Sequence, residues 1–311
     1  MATSGSTDFS ISRTTIINDV CEDLNLKSEG QPVANHIKTK AILRLQAMIK
    51  ADMMDGLHLW AIADGTLFFV LNQESYTLGT GGDEASASYL KTEVATAQTS
   101  GNNTLVVDST TGMTAGDNIG IELDGGDLQW TTITSVDSST QVTLDANLTD
   151  DVAVDNHVYT YTTIIEKPIR IIPDTIRIEN SSGMETPVHL VSRSDYMSIP
   201  DKSSSGVTNK VFYEPLRTTG KLYIWPVADD VQRVLHFNYE RTLEDMDAAG
   251  NEPDYPIQFA EYLMAGLRYR MGRIAGMTDQ ELITAKAEAD SEKQRCLDFD
   301  SEEGSLFFQP G

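Results

Sequence analysis

Two cysteines, Cys21 and Cys296, are all that 311 residues carry. They lie at opposite ends of the chain, which excludes a disulfide framework and a cysteine metal site and leaves them as reduced, incidental thiols. Long apolar runs are also lacking. The longest, Leu67-Phe-Phe-Val-Leu71, falls far short of the ~20 residues that cross a bilayer, so no membrane partner is expected. The first eight residues hold no base followed by an apolar run, so no signal peptide is expected and synthesis is read as cytoplasmic. Bases are scarce, with 23 Lys and Arg against 47 Asp and Glu, a formal net charge of -24. Phosphate binding draws on clustered bases, so a sequence-specific reader of nucleic acid is excluded.

Signatures of chemistry are missing too. The five histidines (His36, His58, His157, His189 and His236) show no zinc spacing, and there is no Gly-x-Ser-x-Gly elbow. Gly79-Thr-Gly-Gly82 has no following Lys-Ser/Thr pair, so it reads as a linker and not as a phosphate loop. The acid pairs Asp83-Glu84, Asp150-Asp151, Asp245/Asp247 and Glu302-Glu303 read as solvated surface in a chain this acidic. His58 beside Trp60 reads as packing. No catalytic residue, cofactor or metal ligand is expected.

What is present begins with a helix over 254–275. Ala260, Leu263, Met264, Leu267, Met271 and Ile274 recur at spacings of three and four, a stripe wide enough to face a core. Asp254 or Tyr255 is the expected cap and Pro256 the expected first turn. Near the amino terminus Ile16, Ile17, Val20 and Leu24 mark one helix. Ile37, Ala41, Leu45, Met48, Ile49 and Met53 mark a second, with Pro32 in its first turn and Gly56 at its end. Two short-looped helices cannot bury both apolar faces alone, so the carboxy-terminal helix is the expected third partner. Leu45, Met48, Trp60, Leu263, Leu267 and Met271 are the expected core. Thr278-Asp-Gln-Glu281 has the spacing of a capping box and opens a polar helix to about Cys296.

Between these ends the pattern changes to the strand period. Gly65 to Leu71 and Tyr76 to Gly79 read as strand, turn, strand. From Asp83 to Ile165 there are thirteen acids to one base, Lys91, and five strands are expected: 104–108, 118–123, 129–136, 141–144 and 157–162. These make a small all-β module, barrel or sandwich, inserted in a host. The host sheet resumes at Lys167-Pro-Ile-Arg-Ile-Ile172 and ends in Val234 to Tyr239, where His236 and Asn238 take the wet face. The fold expected is thus α+β: a helical bundle core with an antiparallel sheet, plus the inserted β domain. Its divisions are 1–79 (core), 80–166 (acidic β insertion), 167–297 (core) and 298–311 (tail). The tail joins a polar stretch to Leu306, Phe307 and Phe308, three apolar side chains that favour docking on a neighbour.

The order of these features resembles the head-to-tail adaptor proteins of tailed bacteriophages, in particular the tail-accessory, DNA-stabilising adaptors of short-tailed phages. The likeness rests on the amino-terminal helix pair running into Leu57-His-Leu-Trp60, on Tyr76-Thr-Leu-Gly79, and on the restart at Lys167-Pro-Ile-Arg-Ile. It continues through Ser194-Asp-Tyr196 with Ile199-Pro200, Phe212-Tyr-Glu-Pro215, Leu222-Tyr-Ile-Trp-Pro226 and Pro253-Asp-Tyr-Pro256. The β insertion is the departure, since the smaller adaptors lack it. The resemblance implies a structural protein of the virion at the head-tail junction, not an enzyme. It implies a ring, usually of twelve copies, bound beneath the portal protein, touching tail or nozzle proteins and tail fibres, with DNA passing through unbound. From the residues themselves, Leu306, Phe307 and Phe308 are expected to dock on the portal or an adjacent subunit. Two rivals stay open: another tail component, tail tube or fibre attachment, and a virion-carried hydrolase using carboxylates of the β module.

Overall fold

The computed structural model describes residues 9–28, 30–54 and 59–300. Helices α1 (Arg13–Asp23) and α2 (Asn35–Asp52) precede β1 (Ile62–Phe68), β2 (Ser75–Leu78) and β3 (Ala85–Ser86). Next come β4 (Leu90–Thr96), β5 (Thr104–Val107), β6 (Asn118–Glu122), β7 (Leu128–Val136), β8 (Gln141–Leu144) and β9 (His157–Tyr161). Then follow β10 (Arg170–Ile171), β11 (Arg177–Glu179), β12 (Glu185–Pro187), β13 (His189–Leu190) and the short α3 (Arg193–Met197). Strands β14 (Lys210–Pro215), β15 (Gly220–Trp225) and β16 (Val234–Glu240) lead to α4 (Ala260–Ala275) and α5 (Asp279–Phe299). The chain is of mixed helix and strand with a closed six-stranded barrel. No helix of the described residues is long and apolar enough to cross a membrane.

Two compact units divide the chain at Ala61/Ile62 and Thr242/Leu243. The first holds α1, α2, α4 and α5. Ile16, Ile17 and Val20 of α1, Leu45, Met48 and Ile49 of α2, and Leu263, Leu267 and Met271 of α4 share one apolar core. Trp60 packs on its edge, half-buried, with ring centroids 4.7 Å from Phe259 and 5.4 Å from Tyr255. Met264 and Ile274 are only partly buried. Gly266 permits a close approach of α4 to α2: a Cβ there would lie 2.5 Å from Sδ of Met48.

Two expected helix starts are corrected. No side chain caps α4, which grows from a 3-10 turn over Ile257–Phe259. The Asp254 carboxylate instead accepts the Glu244 N–H at 2.9 Å and closes its own loop. Helix α2 begins at Asn35 with Ala34 at its cap, so Pro32 lies before the first turn. The expected stop at Gly56 is outside the described residues. At α5 the capping box is complete, with Thr278 accepting from Glu281 N–H and Glu281 from Thr278 N–H.

The second unit carries every strand, so β1 and β2 group with the barrel and the later strands and not with the helices, as expected from 1–79. The first sheet runs β12-β11-β16-β1-β3, with β10 also on β16; the second runs β13-β14-β15-β2. The expected strand, turn, strand at Gly65 to Gly79 is present as β1 and β2, which pair not with each other but with β16 and β15. Leu67, Ile178, Leu235 and Phe237 of one sheet meet Tyr76, Leu78, Val211, Leu222 and Ile224 of the other in one core.

The inserted module closes as β4-β5-β8-β7-β6-β9 around Val94, Leu105, Ile119, Ile121, Val142 and Val158. Five strands were expected; a sixth, β4, closes the barrel by pairing with both β9 and β5. Only Val94 of its seven residues is buried, so β4 shows no alternation to find.

Candidate functional site

Charged groups gather deepest in the helical unit at Asp52. Its carboxylate is 3% exposed and accepts the hydroxyls of Tyr262 at 2.7 and 2.8 Å and of Tyr255 at 2.9 Å. Lys293 of α5 completes the group, Nζ lying 3.1 Å from Oδ1. Burial, and then the charge of Asp52, push the Tyr255 hydroxyl well above its ordinary value and keep it a donor. The arrangement ties α2, α4 and α5 together. Sequence reasoning missed it, although one signal was present: Asp52 falls on the Leu45-Met48-Ile49 stripe, where an acid needs partners.

In the second unit a polar row crosses four strands of the first sheet. His236 sits between Thr66, whose Oγ1 is 2.9 Å from Nδ1, and Glu179, whose Oε2 is 2.9 Å from Nε2. Glu185 lies beyond, held by Arg177 at 2.7 Å, and Asn238 donates to Asp64. The Tyr89 ring stacks over His236 at 6.2 Å, and burial followed by the charge of Glu179 raises its hydroxyl to about 12. His236 and Asn238 thus take the polar face, as their alternation implied. Glu179, Glu185 and His236 form the one group of described His, Cys and acid residues with ligand atoms within 4.8 Å of one another, a donor set that could hold a divalent ion. Each already has a protein partner, and the Arg177 guanidinium supplies the compensating positive charge.

The barrel's acids do different work. Asp117 accepts the Thr114 N–H at 2.6 Å, Asp151 that of Ser100 at 2.8 Å, and Asp124 that of Ala153 at 2.8 Å. Asp137 accepts the hydroxyls of Ser135 and Thr143, which hold its carboxyl below the ordinary range. These are turn caps, spread around the barrel. Asp150 accepts the N–H of Asp151, and Asp245, outside the barrel, pairs with Lys50 at 2.9 Å. Glu302 and Glu303 lie outside the described residues.

Two barrel acids are buried, Asp117 at 3% exposed and Glu122 at 9%. Glu122 accepts the backbone N–H of His157 and the amide of Gln232, each at 2.9 Å. The His157 Nδ1 stands 3.3 Å from the same carboxylate, an ion-pair distance. Burial raises the Glu122 carboxyl, but the His157 and Gln232 bonds outweigh it and hold it below its ordinary value. Beside this group the barrel meets the sheet through Phe68, whose ring is surrounded by Tyr89, Trp130, Tyr159 and Tyr161 at centroid distances of 5.1 to 5.9 Å.

Of the residues expected to act, Leu45, Met48, Leu263, Leu267 and Met271 are buried together with Trp60 at their edge. The docking residues Leu306, Phe307 and Phe308, like His58, lie outside the described residues. No protein-family model matches the sequence, and no curated protein is similar enough to it to count as a relative.

Proposed function

We propose that the protein is a head-to-tail adaptor, a structural virion component that forms a ring beneath a portal and leaves a channel for DNA. In this reading α1, α2, α4 and α5 are the bundle core of the ring subunit, and the barrel is an appended module reaching tail or fibre proteins. Twelve copies is the expected number. One observation carries the reading furthest: most of the barrel's acids are exposed, and Asp124, Asp137, Asp150 and Asp151 among them cap turns around the module. A surface of that kind repels phosphate, which suits a wall that DNA passes without sticking. A hydrolase would ask instead for two carboxylates in one pocket with separated proton affinities. The Asp150 and Asp151 pair is spent on backbone N–H groups.

The test is an image of the purified protein mixed with its portal. Rings of one diameter, stacked on portals and pierced by a channel, are the expected result. Particles that stay monomeric and leave portals bare overturn it.

A further inference from the structure

In a chain with a net charge of -24, four cations share one groove. Arg44 of α2, Arg270 and Arg273 of α4 and Lys286 of α5 line a cleft of about 550 Å³ in the helical unit, floored by Tyr269 and Ile283. Ile283 is 62% exposed although it stands on a helix that buries its neighbour Leu282. One acid, Asp279, lies on the rim.

The cations are not neutralised from within. Arg44 donates to the carbonyl of Arg270, and Arg270 to that of Gly266 at 3.2 Å. Among the described residues only Lys286 of the four has a carboxylate within reach, Asp290 at 4.0 Å, and the Arg273 side chain has neither an ion pair nor a hydrogen bond. Surface cations gain little from water-exposed pairs, but several around one apolar floor favour an anionic segment that also brings apolar side chains.

We infer that this groove receives the carboxy-terminal segment of a second copy of the chain, with Glu302 and Glu303 on the cations and Phe307 and Phe308 over Tyr269 and Ile283. The inference rests on the ring proposed above and names the contact that would close it. The segment has the matching chemistry: Asp298, Asp300, Glu302 and Glu303 precede Leu306-Phe-Phe308, with no base among them. Reach favours a neighbour. The seventeen residues of chain from Ile283 to Asp300 follow α5 and rise roughly 26 Å at helical pitch. The seven from Asp300 to Phe307 span at most about 25 Å even when fully extended. A segment returning along its own helix would need almost full extension to bring Phe307 and Phe308 to the apolar floor, a constraint that a neighbour's segment does not carry.

The probe is a labelled peptide of residues 298–311, titrated by fluorescence anisotropy into the full chain and into a chain ending at Asp300. Binding to the truncated chain should weaken at least tenfold in the R273E/K286E double variant and in 0.5 M salt. A peptide with E302K/E303K should recover binding to that variant, which separates charge pairing from misfolding. The full-length F307S/F308S variant should lose self-association in mass photometry while its melting temperature stays within 2 °C of wild type. Equal binding by wild type and R273E/K286E, or no binding at all, overturns the inference. So does peptide binding by the truncated chain alone when the full chain is monomeric at every concentration, because the segment then fills its own groove. Rings on portals without peptide binding remove the inference and leave the adaptor reading. Peptide-dependent association without portal binding does the reverse.

Discussion

Lys293 reaches from α5 to within 3.1 Å of Asp52 on α2, and the carboxylate it meets is 3% exposed. Two tyrosine hydroxyls from the segment around α4 share the same oxygens. A charge so placed is tolerated only because every lone pair is used. Removing it leaves a lysine and two hydroxyls facing an apolar core. Asp52→Ala should therefore cost about 3 kcal/mol, near the usual range for breaking a buried pair. Tyr262→Phe, which removes one donor and keeps the ring, should cost about 1 kcal/mol. Urea unfolding followed by helical circular dichroism measures both. Equal costs for the two would mean that the Tyr262 hydrogen bond alone, and not the buried charge with its other partners, accounts for the site's contribution.

Gly266 makes a sharper test of helix packing. Its absent Cβ would lie 2.5 Å from Sδ and 3.1 Å from Cε of Met48. Ala at a helix interior gains about 1 kcal/mol over Gly by propensity, while the Met48 thioether must swing aside. Those effects oppose, so Gly266→Ala should lie within about 1 kcal/mol of wild type. Gly266→Val adds two further carbons in a full core and should lose about 2 kcal/mol or more by overpacking. Coupling the valine to Met48→Ala should recover part of the loss, and a double-mutant cycle reads the recovery directly.

The buried acids give the β unit a pH dependence of known sign. The folded Glu122 carboxyl is held below its ordinary value of 4.5, so the unfolded chain binds more protons between the two values. Its contribution is present above pH 4.5 and is lost as pH falls through the folded value. Glu122→Gln should cost about 1.5 kcal/mol at pH 7, the scale of a charge-assisted bond, and should flatten the acid limb of the stability profile. Glu84 works in the opposite sense, because burial raises its carboxyl in spite of the Tyr161 hydrogen bond. Its contribution is present below the ordinary value and falls as pH rises through the raised one. Glu84→Gln should accordingly gain stability relative to wild type as pH rises. Chemical denaturation between pH 3 and 8 checks both slopes.

Local chemistry was legible in the sequence wherever it was self-contained. Thr278 and Glu281 complete each other across three residues, and the Ile119-Ile121-Leu123 alternation marked a strand without outside help. What failed depended on distant partners. Strand β4 exposes most of its length and exists because β9 and β5 bracket it. The Asp254 carboxylate accepts the backbone N–H of Glu244, ten residues back, and no side chain caps the helix start. β1 and β2 are close in sequence yet belong to different sheets, because Leu67 and Tyr76 face one core from opposite sides. The Asp52 group joins residues about 200 positions apart, and only the misplaced acid on an apolar stripe hinted at it.

Excision of the barrel tests how far it is a removable module. Sequence periodicity implies that residues 83–165 fold on their own and leave a cooperative host when replaced by a short Gly/Ser linker. The barrel core is closed and needs no side chain from outside it. The boundary is less simple, since β3 pairs with β1, Ile165 sits in the two-sheet core, and Phe68 and Val234 are covered by Tyr159 and Tyr161. A cut over 88–162 keeps β3 and Ile165 but uncovers Phe68, which is 1% exposed in the whole chain. Such a variant should retain the helical circular dichroism of α1, α2, α4 and α5 and should bind a hydrophobic dye that the intact chain ignores. Adding Phe68→Thr should abolish the dye binding, because the newly wet strand position no longer carries an aromatic ring. In the intact chain Phe68→Ala should cost about 4 kcal/mol, in the range for a buried phenylalanine. Loss of the helical signal on excision would mean that the helices depend on the barrel, and dye binding unchanged by Phe68→Thr would place the exposed apolar surface elsewhere.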